Sequence, residues 1–113
     1  METENTKVNW PLECPVATTV QLIGNKWKLL IIRNLLVRPW RFGELQKSLN
    51  GISQKVLTDC LRTMEADGII IRKVYAEVPP RVEYSLSELG ESMRPILTAM
   101  EAWGNSYKSL KSD

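Results

Sequence analysis

Gln54, Lys55, Thr58 and Arg62 carry hydrogen-bonding ends and recur at steps of one, three and four residues. Between them Leu57, Leu61 and Met64 step by four and three. Wound as an α-helix, the stretch puts the apolar set on an inward stripe and the polar set largely on the other side. The polar set suits the edges of base pairs in a DNA major groove. An amide can read adenine, Arg and Lys can read guanine, and Thr can serve either. Arg72, Lys73 and Arg81 follow in a strand-like segment, where phosphate or minor-groove contact is the natural use of such cations.

The elements that must position these side chains are legible. Residues 42–49 form a first helix with Phe42, Leu45 and Leu49 on one face, entered just after Arg41. Asn50 and Gly51 break it, because both accept the positive φ of a tight turn. Ser53 can cap a second helix, residues 53 to about 67, with Cys60 beside its buried stripe and Gly68 as its terminator. Residues 69–75 are β-branched and aromatic, 76–80 are turn material, and 81–86 alternate strictly. Val82, Tyr84 and Leu86 share one face of that last strand, while Arg81, Glu83 and Ser85 share the other. Helix, turn, helix and basic hairpin in this order make a winged helix-turn-helix. The expected fold is mainly α with a small β-hairpin wing (α+β). The expected partner is double-stranded DNA, contacted by Arg41, Ser53, Gln54, Lys55, Thr58, Arg62, Arg72, Lys73 and Arg81.

Bulk properties agree. A chain of 113 residues is one domain, small for burying a core alone, and 43% apolar with 25% charged is an ordinary globular composition. The net charge is only +2, but residues 26–62 hold eight basic and two acidic residues, while 83–113 hold three basic and five acidic. The positive half coincides with the helix-turn-helix, as in a DNA-binding domain. No apolar run approaches the length of a membrane span, and residues 1–7 are polar and acidic rather than signal-like, so a cytoplasmic location is expected. Histidine is absent, and the two cysteines stand 46 residues apart. Neither a catalytic site, a metal site nor a cofactor is expected.

Around the reading unit, residues 1–10 are expected to be flexible. Helices are expected over 16–23 and over 26–36, the second with Trp27, Leu30, Ile31 and Leu35 buried. Pro39 then ends it. After the wing, Ser87 can cap a helix of 23 residues, 88–110, in which Pro95 forms a kink or begins a new segment. Its stripe of Leu89, Met93, Ile96, Leu97, Met100, Trp103, Tyr107 and Leu110 is longer than a compact winged domain needs. Such a stripe either meets another chain or folds back on its own subunit. Trp27 and Trp103 fit helix stripes, so packing explains them better than a ligand cage; Trp40 in its loop could sit near DNA or a pocket.

The motifs 14–16 (CPV), 24–28 (GNKWK), 41–45 (RFGEL), 51–57 (GISQKVL), 65–68 (EADG) and 78–86 (VPPRVEYSL) resemble the HxlR family of bacterial winged-helix transcription regulators, relatives of the MarR family. The resemblance runs from about residue 11 to 107. It implies a homodimer on pseudo-palindromic operators, often near its own gene and often responsive to chemical stress through an inducer the resemblance does not identify. Terminal helices in such families exchange contacts across the dimer, which favours the intermolecular reading of the long stripe. A repressor is expected. Two recognition helices could then read half-sites roughly 34–36 Å apart.

Several relatives sense oxidants or electrophiles with a cysteine near the place of Cys14. The residues themselves leave this open. A helix start favours a thiolate, yet Glu13 opposes it, no basic residue lies within five positions, and a small apolar anchor is the plain alternative. Cys60 reads as structural. A winged helix used for protein–protein contact, without direct DNA readout, is the competing function. The polar face of Gln54, Lys55, Thr58 and Arg62 speaks against it, since a protein interface carries more aromatics.

Overall fold

The computed structural model describes residues 14–112; the expectation for residues 1–10 lies outside them. The chain order is α1 Pro15–Ile23, α2 Lys26–Leu35, β1 Trp40–Arg41, α3 Phe42–Ser48, α4 Gln54–Ala66, β2 Ile70–Tyr75, β3 Arg81–Leu86, α5 Glu88–Glu91 and α6 Arg94–Lys111. Winged helix-turn-helix architecture follows directly: α3, a turn, α4, then the β2–β3 hairpin.

Local chemistry sets the boundaries. Pro15 opens α1, where its fixed φ suits a helix and its missing N–H is not needed. Asn25 starts α2, its Oδ1 accepting from the N–H groups of Trp27 (2.8 Å) and Lys28 (3.2 Å). Ser53 does the same for α4, its Oγ accepting from Val56 N–H at 3.1 Å. Gly51 (φ 94°) makes the turn between α3 and α4, and Gly68 (φ 79°) ends α4, both in the left-handed region that suits glycine.

The hairpin pairs antiparallel from Ile70 with Leu86 to Tyr75 with Arg81. A third strand, not anticipated, adds to it. Trp40 pairs with Tyr84 and Arg41 with Glu83, giving the order β1-β3-β2. Trp40 is therefore no loop residue. Its indole N–H donates to the Asn34 carbonyl at 2.8 Å and the Arg38 guanidinium lies 3.8 Å above its ring, so both ends of the side chain serve packing.

One core joins these layers. Ile31 and Ile32 of α2, Leu45 of α3, Leu57 and Met64 of α4 and Ile69 before β2 are sealed from solvent. Trp27 and Leu30 pack against it half-buried.

The C-terminal segment takes one of the two forms expected of it, with Pro95 beginning a new segment. It is not a continuous 23-residue helix: α5 ends at Glu91, and Pro95 stands in the first turn of α6. Proline cannot donate to a preceding helical carbonyl, so it begins a helix more readily than it continues one. The break also divides the apolar stripe. Met93 is buried in the subunit's own core, and Ile96 and Leu97 pack on it half-buried. Leu89 on α5 and Met100, Trp103, Tyr107 and Leu110 on α6 stay exposed, Trp103 at 69%. Among the described residues, no helix is long and apolar enough to cross a membrane.

Candidate nucleic-acid interface

α4 buries Leu57, Cys60, Leu61 and Met64 and turns Gln54, Lys55 and Arg62 outward, with Thr58 half-buried between them. This amphipathic split follows from apolar residues at steps of three and four in a 3.6-residue helix. Lys55 Nζ holds Asp59 Oδ2 at 3.0 Å, but both side chains are more than half exposed, and such a surface pair contributes little and rearranges readily. Ser53 is exposed at the helix start with its hydroxyl engaged in the cap.

Arg41, also exposed, leads into α3. Its backbone N–H donates to Glu44 Oε1 at 2.9 Å, and Arg38 Nη1 reaches the same oxygen at 3.3 Å. The backbone bond first, and the Arg38 contact second, hold the Glu44 carboxyl below its ordinary pKa.

The wing sorts its cations by face. Arg72 is opposite Tyr84, which is buried toward the core, so Arg72 shares the inner face turned to α4. There it lines a cleft of about 480 Å³ together with Gln54, Thr58, Arg62, Phe42 and Tyr84. Lys73 is on the outer face, its Nζ 5.1 Å from the Tyr75 ring.

Arg81 is placed differently from what its position in the sequence suggests. Its Nη1 donates to Glu83 Oε2 and its Nη2 to Glu77 Oε2, both at 2.9 Å, and the guanidinium stacks 3.8 Å from the Tyr75 ring. Burial opposes its charge, but the hydrogen bond and attraction to Glu77, with Glu83 beside it, outweigh that and raise its pKa. Arg81, expected to contact DNA, is thus already paired with two carboxylates. Among the described residues, Arg41, Arg62, Arg72 and Lys73 form no ion pair with a carboxylate.

A joint invisible in the sequence orients the reading unit. Asn34, buried in α2, donates from Nδ2 to Ser48 Oγ at the end of α3 (3.0 Å), while its Oδ1 accepts from Arg33. With Trp40 on its carbonyl, Asn34 ties α2 to both α3 and β1. A lone Asn inside an apolar helix gives no signal of this.

Cys14 and Cys60 are both free thiols, Cys14 exposed at the start of α1 and Cys60 buried. Burial pushes the Cys60 thiol up, so it stays neutral. A nearly wholly apolar groove of about 340 Å³ lies between α1 and α6, lined by Val16, Val20, Ile23, Leu29, Ile96 and Met100.

Known proteins share this arrangement. The family model described as HxlR-like helix-turn-helix matches residues 22–112. The uncharacterized HTH-type transcriptional regulator YdeP of Bacillus subtilis (strain 168) is 46% identical over 95 residues, which cover 84% of this chain and 74% of that protein. The reduced form of the redox regulator HypR superposes with a TM-score of 0.82 at 42% identity, covering 88% of this chain and 100% of that one. The reduced form of the transcriptional regulator YodB from B. subtilis gives 0.74 at 35% identity, covering 83% and 94%. With its helix-turn-helix, its wing and a match over most of its length, the chain belongs to the HxlR-like helix-turn-helix family, whose members are DNA-binding transcriptional regulators and not enzymes.

Proposed function

We propose that the protein is a homodimeric repressor that binds a pseudo-palindromic operator in the cytoplasm and releases it under oxidative or electrophilic stress. The exposed face of Gln54, Lys55, Thr58 and Arg62 on α4 carries the reading. Placed in the major groove, Gln54, Lys55 and Thr58 on this face offer donors and acceptors to base edges, and Arg62 adds positive charge beside the backbone. Arg41 and Ser53, exposed at the starts of α3 and α4, would join the contact, and Arg72 and Lys73 would extend it along the wing. A dimer covering two half-sites excludes polymerase from an overlapping promoter.

Dimerisation is supported by the surface that one subunit leaves uncovered. Val16 and Val20 on α1 and Met100 on α6 expose apolar side chains around one groove, and Trp103, Tyr107 and Leu110 expose more along α6. Stress response is supported by the exposed thiol of Cys14 at the start of α1, and by the similarity to the redox regulator HypR in its oxidised and reduced forms.

The test is fluorescence anisotropy on an operator selected from a random duplex pool by the protein itself. Gln54→Ala and Lys55→Ala should each cost about 1–3 kcal/mol at one operator position and leave a random duplex unaffected. Unchanged operator affinity in both variants, each folded, removes α4 from the interface and favours a protein partner instead.

A further inference from the structure

We infer that the cleft between α4 and the wing grips a single backbone phosphate of the DNA, with Arg62 and Arg72 as its two jaws. The inference rests on the DNA-reading role proposed above. Arg62 comes from the helix and Arg72 from β2, and both line the same cleft of about 480 Å³. Both side chains are exposed, and neither is paired with a carboxylate among the described residues. An anion placed between two guanidiniums that line one concavity is attracted by both.

The floor of the cleft is built rather than open. Leu61 and Tyr84 are buried beneath it, and Phe42 is half-buried at its side. These three give the cleft a packed side, against which a charge-assisted guanidinium–phosphate contact can be set. Glu65 lies one turn beyond Arg62 and also lines the cleft, so its charge disfavours an anion at that end. The phosphate's place is therefore toward Thr58.

Docking geometry gives the occupant. A helix in the major groove and a hairpin reaching the neighbouring groove are separated by one strand's ridge of phosphates. The crotch between helix and wing must straddle that ridge, and the volume holds a sugar-phosphate unit with its waters. The outer face of the wing cannot take this part. There Arg81 is matched by Glu77 and Glu83, leaving the unpaired charge to Lys73.

The experiment uses the full chain, the selected operator and a random duplex of equal length, titrated by anisotropy over a range of KCl concentrations. Arg62→Gln and Arg72→Gln should each weaken both duplexes by the same factor, about tenfold. In a dimer with two clamps, the double variant should lower the salt slope by about 1.8, the loss of one phosphate contact per subunit, rather than by about 3.6. Its affinity loss should be smaller than the product of the single losses, because both residues hold one group. A methylphosphonate at the equivalent position of each half-site should abolish the effect of both substitutions. Losses that multiply and map to two different phosphates overturn the clamp, as does a loss confined to one base pair of the operator. So does wild-type affinity in either folded variant. Capture of free inorganic phosphate by the wild type in place of DNA also overturns it. If the folded wild type binds neither duplex, the DNA-reading role itself falls, a result distinct from failure of the variants alone.

Discussion

Arg81 Nη2 donates to Glu77 Oε2 at 2.9 Å, and this bond closes the turn of the wing from β3 back to the residues that follow β2. Glu83 takes the other end of the guanidinium and Tyr75 its face, so the side chain is a strut between hairpin and turn. Arg81→Gln should therefore speed amide hydrogen exchange over residues 76–80 while leaving the salt slope of DNA binding unchanged. A slope lowered by about one unit would return Arg81 to the phosphate contacts.

Glu44 makes stability depend on acid. Its folded pKa lies below the ordinary 4.5, so its contribution is fully present above that value and is lost as pH falls through the folded one. The melting-temperature gap between wild type and Glu44→Ala should be widest near about pH 7 and close toward about pH 3. A gap that widens in acid contradicts the cap.

Leu57 anchors α4 with no solvent exposure at all. Leu57→Ala should cost about 2–5 kcal/mol in urea unfolding, through lost transfer energy and the cavity left behind. A loss below about 1 kcal/mol would mean that the recognition helix collapses onto the gap or is not packed as described.

Trp103 is exposed in the subunit and stacks only on Tyr107, at 5.5 Å between ring centroids. A charge there should divide the proposed dimer without unfolding the protomer. Sedimentation of Trp103→Glu should show folded monomers at micromolar concentration, with operator affinity sharply reduced. Wild-type protein that sediments as a monomer rules the dimer out.

For Cys14, brief diamide treatment followed by mass spectrometry should find modification at Cys14 and none at buried, neutral Cys60. Operator binding should fall in the wild type and persist in Cys14→Ser. Identical responses in the two make Cys14 an anchor.

The secondary structure of the reading unit was legible because it is local. Ser53, Gly51 and Gly68 mark its ends through backbone chemistry, and Leu57, Leu61 and Met64 mark its buried face through spacing. The sequence by itself thus determined the helix-turn-helix, the hairpin and the outward face of Gln54, Lys55, Thr58 and Arg62. It could not determine what lies far apart in the chain. Pairing of Trp40 with Tyr84 spans 44 residues, and the Asn34–Ser48 bond spans 14. A two-residue strand has no period of its own to detect. The partition of Met93 to the core, Ile96 and Leu97 to its edge and Trp103 to the surface likewise depended on where Pro95 let α6 start. Tertiary structure also decided which cations are free. Arg72 and Arg81 look equivalent as residues of one basic hairpin, but strand register sends Arg72 inward beside Arg62 and Arg81 outward onto Glu77 and Glu83. Charge is a property of the residue, whereas its availability is set by the neighbours that folding brings within reach.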